Sequence, residues 1–446
     1  MTMKQKFLIT TASLMLAVFI NNNAGLAQDG GTPIPQPRVE GLKIADASKR
    51  VDLVLPKFSN PTEVTNPLFP VSRQASVLFT GHVDNKPFRT EVTLLPFTRI
   101  VEWQGIEIKT LVSQYVAYLD GRVQEVAYDL YAQADDGSVW YFGEDVSDFR
   151  DGVIYTKEGT WLAGKDGPPN MIMPGKPKVG DAFRAENMPG IAFEEVEVSD
   201  VAHTYQGPLG AIKGALVGRE LHADGTYDEK TFAPGYGEVF TGSGGDIEAV
   251  ALAMPTDALD GPVPTELKAL ADGALSVFEA AGGKDWNAAA DQTKAMAAAW
   301  ETFSASDMPK PIKPLLDDAL KSLAGAVATK NVAKSRQAAI ETARWAFDLQ
   351  LRHRPVAEID FARFDLWAAQ VFVDAAAKDA AGVNFDMFTL MLIRDRLLGA
   401  LDAQTTQDLN VQLGELMPAA ADAEFDAAAE AAIALREIVA QAKLVK

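Results

Sequence analysis

Residues Met254 to Pro264, MPTDALDGPVP, divide this chain into two halves that obey different periodicities. Before them, short β-branched and aromatic runs are separated by turn dipeptides. After them, alanine dominates and glycine nearly leaves the segment interiors. A period of two places successive side chains on opposite faces of a strand, whereas a period of 3.6 gathers every third and fourth residue on one face of a helix. The chain is therefore predicted to be α+β and multidomain. An antiparallel β-meander or barrel-like domain is expected over 51–253, a proline-rich linker over 254–264 and an α-helical bundle over 265–446.

The β prediction rests on pairs such as IEIKTLVSQYVAYL and RVQEVAYDLYAQA, joined by Asp120-Gly121. Asp-Gly between two alternating runs is a strong hairpin signal, because both turn positions need positive φ. Similar punctuation occurs at Asp135-Asp136-Gly137, Asp151-Gly152 and Asp224-Gly225. Successive hairpins make a meander, and closing it into a barrel or half-barrel removes its exposed edges. The stretch AGKDGPPNMIMPGKPKVGD, from Ala163 to Asp181, is expected to interrupt the meander as an irregular loop.

In the second half, Asp285, Pro311, Asn331 and Pro355 open successive alanine-rich segments, predicting seven or eight helices. A repeat relates PLLDDALKSLAGAVATKNVAKSRQAAIETARWAFDL to FDLWAAQVFVDAAAKDAAGVNFDMFTLMLIRDRL, which implies stacked helical hairpins. Through WETF and the first of these phrases, residues 286–398 resemble the alanine-rich bundle modules of bacterial periplasmic proteins, the imelysin-like proteins and the small four-helix cytochromes. Their functional residues do not carry over. The imelysin HxxE motif is absent at His82, His203, His222 and His353, and a chain with no cysteine has no CxxCH. The first half looks like a broad group of exported bacterial β proteins, through EGTWLAGKDG…MPGKPKVGDAFR and YDEKTFAPGYGEVF. That resemblance implies export and a β-meander.

Lys4 and Lys6, the apolar run from Phe7 to Ile20 and the small residues Gly25-Leu26-Ala27 read as a cleavable signal peptide over 1–27, followed by a flexible leader over 28–50. The expected location is periplasmic or secreted, with no membrane span after signal removal. The absence of cysteine removes disulfides, thiol catalysis, iron-sulfur clusters and c-type haem together. Loss of the two signal lysines would take the formal charge of −20 to −22, a sign that opposes nucleic acid. No GxSxG elbow, HExxH pair, dinucleotide fingerprint or phosphate-binding Walker loop occurs, so no nucleotide motif or common hydrolase signature is present.

Three groups of residues could carry chemistry. Met171 and Met173, with Met188 as a third thioether, have the softness that suits Cu(I), and methionine equally fills irregular gaps in a core. His222 beside Asp224 suggests a His/carboxylate site, in a turn where Asp-Gly already has a structural role; Asp135, Asp136 and Asp228 lack the spacing of a calcium loop. In the bundle, Asp360 falls on the apolar stripe of Phe364, Trp367 and Val371 and so needs a cationic partner. Asp348, His353, Asp360 and Asp395 with Arg344, Arg363, Arg394 and Arg396 are expected to form either a polar pocket or an interhelical salt-bridge network. The function expected from these features is that of an exported, non-enzymatic binding or interaction protein. Its ligand would sit at the mouth of the β domain, and its bundle would dock a partner. The alternative is a periplasmic metal-handling protein. Partners are expected to be a small molecule, a metal ion or another extracytoplasmic protein.

Overall fold

The structure, a computed structural model, describes residues 31–445. The expected signal peptide lies outside these residues. The chain forms two compact units, one made of residues up to 148 and 154–250, the other of 149–153 and 251 onward.

The β elements are, in order, β1 Thr32–Pro33, β2 Val54–Leu55, β3 Ser76–Val83, β4 Lys86–Trp103, β5 Ile106–Leu119, β6 Arg122–Gln133, β7 Val139–Arg150 and β8 Val153–Thr156. They continue with β9 Trp161–Leu162, β10 Asn170–Met173, β11 Ala182–Met188, β12 Ala192–Gly207, β13 Gly210–His222, β14 Tyr227–Ala233, β15 Gly237–Ser243 and β16 Asp246–Met254. β1 pairs with β2, and the remaining strands make one large sheet. Its path runs β10-β7-β6-β5-β4-β3-β16-β15-β14-β13-β12-β11, with every resolved register antiparallel. The unit is thus two meanders joined where β3 meets β16. At the other ends of the path, β10 lies against β11, and Asn170 donates to the Met188 sulfur at 3.2 Å, so the sheet curls back on itself.

The turns explain the local pairing. Asp120 (φ 53°) and Gly121 (φ 77°) take the left-handed conformation that lets Leu119 and Arg122 face each other across a two-residue hairpin. Asp84 and Asn85 make the same turn between β3 and β4 without glycine, and Asn and Asp are the residues that tolerate it. Gly81 serves packing rather than turning. A Cβ there would run into the Ile247 carbonyl of β16, so glycine permits the close approach of these two strands. The stretch 163–181 is not wholly irregular. Asn170–Met173 emerges from it as β10 and pairs with β7, with Met171 and Met173 buried; Pro168, Pro169 and Pro174 on either side are buried too but have no N–H to extend the ladder. The expected flexible leader is also engaged from residue 31 on: Ile34 bonds the Leu53 carbonyl, and Ala45 N–H donates to Glu195.

An apolar cluster including Trp140, Phe142, Trp161, Met173 and Phe183 fills one part of this unit. Burying each such side chain contributes on the order of 1.5–3 kcal/mol before the entropy of ordering is subtracted.

The second unit contains eight helices among the described residues: α1 Thr265–Gly282, α2 Trp286–Phe303, α3 Ile312–Ala328, α4 Val332–Gln350, α5 Val356–Ala377, α6 Ala380–Arg396, α7 Ala403–Ala421 and α8 Phe425–Gln441. Asp285 and Asn331 cap α2 and α4 by accepting from Ala288 N–H and Lys334 N–H, as their positions predict. Sequence neighbours pack as hairpins, and α1–α4 and α5–α8 add longer-range contacts. The proline-rich segment 254–264 is bonded into this unit: Arg352 Nε donates to the Asp257 carbonyl, and Leu259 N–H to the Arg352 carbonyl. Among the described residues no helix is long and apolar enough to cross a membrane.

Candidate functional site

The β unit holds a cavity of about 350 Å³. Its character follows from which face of each strand turns inward. On β6 and β7 the cross-strand pairs Glu125–Asp148, Ala127–Val146 and Asp129–Glu144 share one face, as residues two apart on a strand must. Glu125, Glu144, Val146 and Asp148 line the cavity, so the polar set of this ladder points inward. Glu158, Glu186, Glu194, Asp224, Glu238 and Glu248 add more carboxylates, against Lys230 and His222. Phe69, Tyr131, Tyr141 and Phe193 supply aromatic walls, with Tyr131 and Tyr141 stacked at 4.9 Å.

Some of these acids are satisfied by the protein. Tyr141 donates its hydroxyl to Asp129 at 2.6 Å, and Trp161 Nε1 donates to Glu186 at 3.2 Å. Others are not. Glu125 is 8% exposed and Asp148 2%, and each has one fully buried carboxylate oxygen with no hydrogen-bond partner.

This environment opposes ionisation. Burial, then the charges of Asp148 and Asp129, push the Glu125 carboxyl well above the usual range. Burial, followed by Glu158, pushes Asp148 up to about 6. Asp129 rises to about 7 through burial, with the Tyr141 hydrogen bond opposing the shift. Burial carries Glu144 to about 8 and Glu186 well above its usual value. These last two share a side-chain hydrogen bond, so the pair retains a proton at neutral pH.

A second group lies in the wall formed by β12, β13 and β14. Glu194 stands opposite His222, and Glu220 stands opposite Asp228. Glu220 and His222 are two apart on β13 and share a face. His222 Nδ1 is 3.5 Å from Glu194 Oε1, while its Nε2 is 3.5 Å from both Glu220 Oε2 and Asp228 Oδ2. Lys230 approaches the other Glu220 oxygen, Oε1, at 3.1 Å. Burial works to lower the Lys230 pKa, and the charges of Glu220, Glu238 and Glu194 overcome it, leaving a firmly charged ammonium.

The residues singled out from sequence fall in three places. Met171, Met173 and Met188 come together in the apolar cluster, all buried, with Met188 accepting from Asn170. His222 faces Glu194, Glu220 and Asp228, and Asp224 accepts from both the N–H and the hydroxyl of Thr226 in the hairpin turn. In the helical unit, Asp348, Asp360 and Arg363 meet: Arg363 donates to Asp348 at 2.5 Å and to Asp360 at 3.0 Å, and Arg396 lies 3.7 Å from Asp360. The other expected members turn elsewhere. Arg344 pairs with Glu341 and covers the Trp367 ring; Asp395 pairs with Arg394; burial and neighbouring Arg352 lower the pKa of half-buried His353.

Sequence reasoning missed the inward acids of β6 and β7. Alternation in RVQEVAYDLYAQ separates two faces without saying which one is enclosed. Comparisons with known proteins add no assignment: no family model, curated protein or solved structure matches this chain.

Proposed function

We propose that this chain is a non-enzymatic binding protein whose β unit takes a small organic cation, an amine or guanidinium, into its interior. The observation that carries this reading is the cross-strand pair Glu125–Asp148, buried and facing the cavity, each with one carboxylate oxygen that no protein donor reaches. Leaving such groups unmatched is costly, and a cationic ligand supplies both the charge and the hydrogen-bond donors. The rings of Tyr131, Tyr141 and Phe69 suit the same ligand, since a cation is attracted to the face of an aromatic ring. The N-terminal segment supports delivery of this binding activity outside the cytoplasm.

Calorimetric titration of the purified full chain with putrescine, agmatine and tetramethylammonium, against neutral alcohols of similar size, tests the reading. At least one cation should bind at one equivalent. Glu125→Gln combined with Asp148→Asn should weaken it by about tenfold or more, a loss of at least about 1.4 kcal/mol. Saturable binding of the neutral compounds alone, or equal affinity in the double variant, would overturn it.

A further inference from the structure

The cluster around His222 has a geometry that the organic-cation reading does not use. The imidazole reaches three carboxylates from three adjacent strands, and its two nitrogens face different ones. On the Nδ1 side there is one acid, Glu194; on the Nε2 side there are two, Glu220 and Asp228. Ligand atoms of Glu194, Glu220 and His222 lie within 4.8 Å of one another.

We infer that Glu220, His222 and Asp228 form a binding site for a divalent first-row transition ion of the zinc type, with Glu194 positioning the histidine.

Metal–nitrogen and metal–oxygen bonds of about 2.0–2.2 Å in a tetrahedron place neighbouring donors about 3.3–3.5 Å apart. The separations of Nε2 from Glu220 Oε2 and from Asp228 Oδ2 are both 3.5 Å, so an ion beside Nε2 would meet both carboxylates. Glu194 then accepts the Nδ1 proton, which fixes the tautomer whose Nε2 lone pair can ligate. Histidine ligands in metal sites are oriented by a carboxylate in this way. Lys230 approaches the other oxygen of Glu220, Oε1, at 3.1 Å, while Oε2 lies 3.5 Å from His222 Nε2. Two antiparallel ladders hold the donors in register: Glu194↔His222 and Glu220↔Asp228. Glu220 is fully buried and His222 is 7% exposed, so the ion would be largely shielded from water. His222 also lines the cavity, which gives the ion a route in and leaves room for a fourth, exchangeable ligand. One imidazole and two carboxylates suit zinc or another first-row divalent ion; calcium takes about six to eight oxygens.

Calorimetric titration of metal-stripped full-length protein with zinc chloride is the primary test. One equivalent per chain is expected. His222→Ala and Asp228→Asn should each lower the affinity at least tenfold, while Glu194→Gln should lower it more modestly. Glu125→Gln should leave zinc binding unchanged while weakening amine binding, so this inference and the preceding proposal fail independently. X-ray absorption of the zinc-loaded wild type needs no variant and should show one imidazole among oxygen ligands. Cobalt substitution should give the intense visible bands of a four-coordinate ion. Absence of saturable zinc binding, an all-oxygen shell, or full affinity in a folded His222→Ala variant would overturn the inference. So would a ring that retains both protons at neutral pH in excess zinc, since it would then be a histidinium held by its carboxylates.

Discussion

A carboxylate removed from water and given no donor raises the free energy of the folded state unless it takes up a proton or a counter-ion. Glu125 and Asp148 each have one oxygen in that position, and as cross-strand neighbours they repel one another whenever both are charged. Glu125→Gln should therefore raise the melting temperature of the ligand-free protein by several degrees at pH 8 and change it little at pH 5, as read by calorimetry. A lower melting temperature at pH 8 would mean that the charged carboxylate is supported by the fold rather than tolerated by it. The bundle acids differ at this scale. Asp348 and Asp360 are equally hidden, yet Arg363 bridges them. That need was visible in the sequence, because Asp360 interrupts an apolar helical stripe and an arginine stands three residues on. No comparable mark distinguishes Glu125, since a glutamate in an alternating strand reads as solvent-facing.

Among the elements, Arg363 ties α4 to α5 through Asp348 while bonding Asp360 within its own helix, and Arg396 brings in α6. Removing one partner from a buried ionic group costs more than the group's net contribution, because the remaining charges stay buried. Arg363→Ala should destabilise the helical unit by about 3–5 kcal/mol in chemical denaturation followed by helical circular dichroism. Arg363→Met paired with Asp348→Leu should recover much of that loss, because Asp360 then keeps Arg396 as its counter-charge. The elements themselves were largely legible. Asp120-Gly121 marked a hairpin, and Asp285 and Asn331 marked helix starts, because each satisfies a local backbone requirement that its neighbours cannot alter. β10 was not legible. Its four residues lie between prolines and glycines, and only pairing with β7 makes them a strand.

For the whole molecule, the interior acids fix the sign of the response to pH. A carboxyl whose folded-state pKa exceeds its unfolded value binds more protons when folded. Its contribution is fully present below the unfolded pKa and is lost as pH rises through the folded one. With Asp148 moved from 3.8 to about 6, Asp129 from 3.8 to about 7 and Glu144 from 4.5 to about 8, these groups should lower stability progressively between about pH 4 and 8. Denaturant midpoints of the ligand-free β unit's transition should accordingly fall across that range, and a bound cation should recover the loss at its upper end. A midpoint that rises from pH 5 to pH 8 would exclude this account. The junction of β3 with β16 adds a consequence in time. Its partners lie at opposite ends of the β unit's sequence, Ser76–Val83 and Asp246–Met254, whereas most other ladders join consecutive strands. During synthesis each meander can zip as it leaves the ribosome, but the two cannot join until about residue 250 has emerged. Until then the carboxylates stay hydrated, so their burial belongs to the last step of assembly, and Gly81 stands where that step must bring two backbones together.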